Sequence, residues 1–180
     1  MKFEDGSIKE KPLAYLAGSI MAAKDDGFGW RNDIIPHLSN LGYRIFNPPV
    51  DQPKMTGVSK ASLIAAMGSD VTKYQEDCAK IVNADLSVLK KTSVLIAKID
   101  EGVLKGSGTF GELTVAHMLD IPVFAWIDLP QGILGIPSWA FGCITHYTVH
   151  ERDFYKMIPS SEALMSAHPN YEVGKRKSPR

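Results

Sequence analysis

Short runs of consecutive apolar residues alternate along the chain with longer stretches whose apolar positions recur every three or four residues. "PLAYLAG" (12–18) is a brief apolar run closed by glycine, and it predicts a buried strand. "GWRNDIIPHLSNLG" (29–42) carries Ile34, Ile35, Leu38 and Leu41 at helical spacing, with Gly42 as C-cap and Pro36 expected near the first turn or at a kink. "YRIFNPP" (43–49) predicts a strand stopped by two prolines. Residues 50–69 are polar and predict a loop with a short helix near 61–67, in the position of a lid. A long helical pattern follows over 70–91. "SVLIAKID" (93–100) and "IPVFAWID" (121–128) are continuous apolar strands of the kind buried on both faces of a parallel sheet, with a helix over 109–119 between them. Residues 129–143 read as loop, "THYTVH" (145–150) as an edge strand and "ERDFYKMI" as the start of a last helix.

Strands alternating with helices predict an α/β fold: a single-domain, flavodoxin-like or Rossmann-like parallel sheet of about five strands flanked by helices. The expected layout is a polar lead over 1–11, a catalytic domain over 12–158 and a partly disordered tail over 159–180, whose basic end "GKRKSPR" is read as a solvated terminus. In such sheets ligands bind beyond the carboxyl ends of the strands, so the loops after Gly18, before Glu112 and after Asp128 matter most.

Composition narrows the classes. A chain of 180 residues with no net charge is an ordinary globular domain, without the basic excess of a general nucleic-acid binder. Two cysteines without CxxC spacing, no apolar leader and no run long enough to span a bilayer lead us to expect a reduced, cytoplasmic protein. No P-loop is present, and Ser19 lacks the setting of a hydrolase nucleophile. His146 and His150 would share one side of a strand, but without further clustered ligands a metal site is not expected; His117 reads as a surface residue of its helix.

Two places carry candidate chemistry. On the long helix, Val71, Tyr74, Cys78, Ile81, Val82 and Leu89 form one stripe at about 100° per residue, and Asp85 lies inside it. A core-facing aspartate is costly unless bonded, so Asp85 either orients neighbouring backbone or serves as an acid in a cleft. The second place is "GSGTFGEL" (106–113), which admits three readings. Thr109 and Glu112 match a capping box. Gly106, Gly108 and Gly111 match a dinucleotide fingerprint, with Asp128 as the ribose-binding acid. Glu112 is also placed as a nucleophile kept ionised by a helix N-terminus.

"YLAGS", "NADLSVLKKTSVLIAKID" and "GTFGEL", in this order over residues 12–127, resemble the nucleoside 2-deoxyribosyltransferase family and its relatives, the 2'-deoxynucleoside 5'-monophosphate N-glycosidases. The resemblance implies that Glu112 attacks the anomeric carbon of a 2-deoxyribose, that Asp85 protonates or aligns the leaving base, and that Tyr15 holds Glu112. It places Gly18, Ser19, Gly106, Ser107, Gly108 and Thr109 around the sugar. It also makes "GIPSWAFG" (135–142), with Ser138 and Trp139, the loop that completes a neighbouring subunit's site in a homo-oligomer. The implied reaction is transfer of the sugar between bases, with hydrolysis of a nucleoside monophosphate as the alternative. It needs no metal or organic cofactor, no nucleic-acid polymer and no membrane. Gly106 stands where transferases of the family often have an acid, and Met21 where the hydrolases have an arginine. Lys105 and Arg31 are alternative phosphate ligands, otherwise surface charges. Without the resemblance, a non-catalytic nucleotide-binding or sensor module remains open, with Glu112 as a cap, Tyr15 as a core tyrosine and Trp139 as packing.

Overall fold

The computed structural model describes residues 10–167. Five strands, β1 (Leu13–Ala17), β2 (Arg44–Phe46), β3 (Val94–Asp100), β4 (Val123–Asp128) and β5 (His146–Thr148), form one sheet in the order β2-β1-β3-β4-β5. Every pairing is parallel. The expected α/β architecture is therefore present. The basic terminus "GKRKSPR" and most of the polar lead lie outside the described residues.

Alternation along each strand separates two cores. Tyr15, Ala17, Leu95, Ala97, Ile99, Val123, Ala125 and Ile127 face one side, and Ala14, Leu16, Val94, Ile96 and Phe124 the other. The first core is closed by α4 (Val71–Leu89) through Val88 and Leu89, and by α6 (Gly108–Met118) through Leu113 and Ala116. The second is closed by α1 (Phe28–Asn40) through Ile34 and Leu38, by α8 (Glu151–Met157) through Phe154, and by α9 (Ser161–Ala167) through Leu164.

Local chemistry explains the helix ends. Helix α1 stops in a Schellman turn: Tyr43 N–H donates to Leu38 O (3.1 Å) and Gly42 N–H to Ser39 O (3.1 Å). Gly42 has φ +90°, which an L side chain adopts only with strain. Pro36 lies in the third turn of α1, later than expected; it removes one ladder bond without ending the helix. Helix α3 (Lys60–Ser69) opens on a capping box between Ser59 and Ser62, and α4 on Asp70, whose carboxylate accepts from Lys73 N–H at 2.9 Å.

Several elements go beyond the pattern. The two prolines after β2 start a helix, α2 (Pro48–Thr56): at its first two positions an absent N–H loses nothing. Residues 50–69 are thus mostly helical. Helix α5 (Glu101–Leu104) follows β3, and the stretch expected as loop holds a 3₁₀ turn (Gly132–Gly135) and α7 (Ser138–Gly142). Residues 161–167, assigned to the tail by pattern, form α9, anchored where Ser161 N–H donates to Leu41 O at 2.8 Å. Among the described residues no helix is long and apolar enough to cross a membrane.

Candidate active site

The strand order reverses between β1 and β3, and at such a switch point the flanking loops diverge and leave a crevice at the carboxyl ends. Tyr15 projects from β1 on the α4/α6 side, fully buried and stacked on Phe46 of β2 with ring centroids 5.2 Å apart. Its hydroxyl donates to Glu112 Oε1 at 2.7 Å. Asp85, from the inner face of α4, lies close enough to the same hydroxyl to be stabilised by it. Two carboxyl groups distant in sequence thus converge on one phenol.

Glu112 occupies the fifth position of α6, beyond the first turn. Its Oε2 is buried without a hydrogen-bond partner. The carboxyl pKa is raised to about 7 from 4.5, chiefly by burial and in smaller part by Asp85, with Tyr15 and Arg31 opposing the rise. The helix terminus therefore does not hold Glu112 at an ordinary acidity, because the dipole's influence fades within one turn. Burial likewise raises the Asp85 pKa, against the two hydrogen bonds from Gln52 and the nearby Tyr15 hydroxyl. The Tyr15 hydroxyl is raised well above its ordinary value by burial and by both carboxylates, so it remains a donor.

The capping box predicted for Thr109 and Glu112 does not form. The helix starts at Gly108 with Ser107 as N-cap, no side chain caps it, and Glu112 points to Tyr15 instead. Thr109 is buried, while Gly106, Ser107 and Gly108 are exposed. A Cβ at Gly106, Gly108 or Gly111 would meet nothing within 4 Å, so open space borders all three. Asp128, the acid of the dinucleotide reading, is ion-paired with Lys98 at 2.9 Å, and α5 separates β3 from the glycines.

Gly18 and Ser19 are buried at the end of β1. A Cβ on Gly18 would stand 3.0 Å from Trp30 Cζ2 and 3.2 Å from Lys98 O, tighter than most packed contacts, so this turn is fitted to glycine. Ser138 and Trp139 do not join the buried cluster. Both are exposed, Trp139 by 73%, which removes the core-packing reading of the tryptophan. Its indole N–H donates to Thr114 Oγ1 (3.1 Å), two residues past Glu112 on α6. His146 stacks on Phe124 (4.6 Å) and His150 precedes α8, so they are not a pair on one strand.

The stripe on α4 needs revision at its ends. Val71 and Val82 are exposed, and the inward face includes Asp77, whose carboxylate is bonded by Lys73 and Lys80 at 2.8 Å each. Asp85 stays on that face.

Two residues of the cluster escape the pattern reading. Gln52 in α2 donates to both Asp85 oxygens (2.8 and 2.9 Å); nothing in its polar neighbourhood singles it out. Arg31, read as a surface charge, is fully buried. Its position was legible: it precedes Ile34 by three residues and Leu38 by seven, on the buried stripe of α1. Lys60 of α3 bonds Asp26 and Ile20 O, so the segment expected as a lid borders both Asp85 and the β1–α1 loop.

No family model matches the sequence, and no curated protein matches it. Among solved structures, the chain is similar to a 2-deoxyribosyltransferase from the psychrotolerant bacterium Bacillus psychrosaccharolyticus, described as a biocatalyst for the synthesis of nucleosides. The TM-score is 0.59 at 17% identity, over 92% of this chain and 99% of the other. The protein thus has the single-sheet α/β fold of a 2-deoxyribosyltransferase.

Proposed function

We propose that this chain cleaves the N-glycosidic bond of 2'-deoxynucleosides by double displacement and transfers the sugar to a second base. The observation that carries the proposal is the divided state of the Glu112 carboxylate: Oε1 is held by Tyr15, and Oε2 is buried with no partner. An oriented carboxylate with one uncommitted oxygen suits nucleophilic attack. In the first step Glu112 Oε2 bonds C1', the C1'–N bond breaks, and its electron pair leaves with the base, which takes a proton from Asp85. In the second step a nitrogen of the acceptor base gives its proton to the Asp85 carboxylate and bonds C1', and the Glu112–C1' bond breaks with its electron pair returning to Glu112, which restores both carboxyl groups. The division of labour between two carboxyl groups is that of retaining glycosidases. Gln52 holds Asp85 in register through both oxygens. Gly18, Ser19, Gly106, Ser107, Gly108 and Thr109 border the sugar. No metal or organic cofactor takes part in this scheme, and the small-molecule substrates are a deoxynucleoside and a base.

The fold of the neighbouring 2-deoxyribosyltransferase supports this reading. So does the surface around Trp139 and Leu134, exposed by 73% and 88%, which we assign to contact with a second copy whose site the loop 135–142 completes. Hydrolysis of a 2'-deoxynucleoside 5'-monophosphate is the second reading. It is favoured by the uncapped start of α6 beside Gly106 and Ser107, where a helix N-terminus attracts a phosphate.

The test is incubation with a panel of deoxynucleosides and their monophosphates, with and without an acceptor base. Base release that requires the acceptor supports transfer, and release in water alone supports hydrolysis. No release from any member overturns both readings and leaves a non-catalytic binding module, whereas full activity in a Glu112→Ala variant overturns the covalent step at Glu112.

A further inference from the structure

Among the described residues Arg31 is one of the largest fully buried side chains, and it makes no ion pair with any of them. All its hydrogen bonds go to main-chain oxygens at the end of β1 and in the loop to α1. Nη1 donates to Gly27 O (2.7 Å) and Ser19 O (3.3 Å); Nη2 donates to Gly18 O (3.0 Å) and Leu16 O (3.3 Å). Nε has no partner, and the guanidinium carbon lies 4.8 Å from the Trp30 ring centroid. Carbonyl dipoles solvate a cation only in part, so an unpaired buried guanidinium is costly unless a negative charge lies within reach.

The loop is built around this group. Gly27 has φ +76°, and a Cβ there would collide with both Ser19 O and Arg31 Nη1. The four gathered carbonyls belong to the strand end and turn that follow Tyr15, the residue that holds Glu112.

We infer that Arg31 is a positioning residue of the site: its buried guanidinium shapes the β1–α1 loop by collecting four carbonyl oxygens, and it is the counter-charge of the buried Glu112 carboxylate. The inference rests on the proposed role of Glu112 only for its catalytic consequence.

The electrostatics agree. Burial lowers the Arg31 pKa to about 10, and Glu112 is the foremost of the groups opposing that fall, with Asp100 and Asp25 behind it. The groups acting on Glu112 are Tyr15 from β1, Asp85 from α4 and Arg31 from α1; Gln52 from α2 reaches it only through Asp85. Arg31 is the sole cation among them.

The test is a carboxyl NMR titration of protein carrying ¹³C-labelled glutamate, with the Glu112 signal assigned by its loss in Glu112→Gln. Arg31→Gln keeps donors for the carbonyls but removes the charge, and the Glu112 midpoint should rise by about one pH unit. Arg31→Lys keeps the charge and loses the fork, so the midpoint should stay near the wild-type value while KM rises. An unchanged midpoint in a folded Arg31→Gln variant overturns the inference. If that variant does not fold, Arg31→Lys decides: a midpoint that climbs as far as expected for the neutral variant overturns it equally. The titration needs no turnover. A shifted midpoint in a protein inactive on every deoxynucleoside would sink the proposed function and leave the role of Arg31 standing.

Discussion

Glu112 carries two opposing demands. As the proposed nucleophile it must be ionised, yet burial favours its neutral form and raises its pKa to about 7. The conflict has a measurable sign. Between the ordinary 4.5 and about 7 the folded protein binds a proton that the unfolded chain does not. Stability from this group is therefore full below 4.5 and is lost as pH rises to 7 and above, by about 3 kcal/mol. Glu112→Gln should accordingly be more stable than wild type in urea melts at pH 8, with the difference shrinking to nothing by pH 4. A variant less stable than wild type at pH 8 would show that the carboxylate is not strained by burial. The same titration should appear in the wild-type kcat/KM profile as a rising limb near pH 7. At this scale the sequence was informative where a polar residue broke an apolar stripe. Asp85 was found that way, and Arg31 sits on the stripe of α1 by the same rule. Gln52 left no such mark, because a glutamine in a polar segment looks the same whether it faces solvent or a carboxylate.

Elements explain why the site is held so closely. The β1–α1 loop is clamped from inside by Arg31 and from outside by Lys60 on Asp26, so its one left-handed glycine is fixed by contact as well as by φ. Gly27→Ala is predicted to cost about 2–3 kcal/mol, from both strain and collision. Gly57→Ala, at φ +71° but with nothing within 4 Å, should cost only about 1 kcal/mol. Equal costs in denaturant melts would mean that the loop can relax around an added methyl group. The strands were legible as apolar runs bounded by glycine and proline, and the long helix by its period. Less so were α2, α5, α7 and α9: at four to nine residues they are too short to show a helical period, and tertiary contacts such as Ser161 to Leu41 O fix them more than any repeat does.

For the whole molecule, the parallel order β2-β1-β3-β4-β5 places the switch point where Tyr15 enters from β1 and Glu112 from α6. Trp139 and Leu134 lie outside both cores, and Trp139 reaches α6 through Thr114. The account predicts that the protein sediments as an oligomer and that Trp139→Arg yields a smaller species with activity reduced about tenfold or more, as expected when a central aromatic of an interface is lost. A wild-type monomer with full activity would remove the shared-site part of the proposal. The central claim of the proposed function is the covalent step at Glu112. It is tested most directly by incubating the protein with an excess of a 2'-deoxynucleoside without acceptor, acid-quenching it, digesting it and weighing the peptides. The predicted result is a peptide containing Glu112 that gains one 2-deoxyribosyl group and loses it when an acceptor base is added before the quench. Base release with no adduct on that peptide, or an adduct on a different residue, would contradict the account.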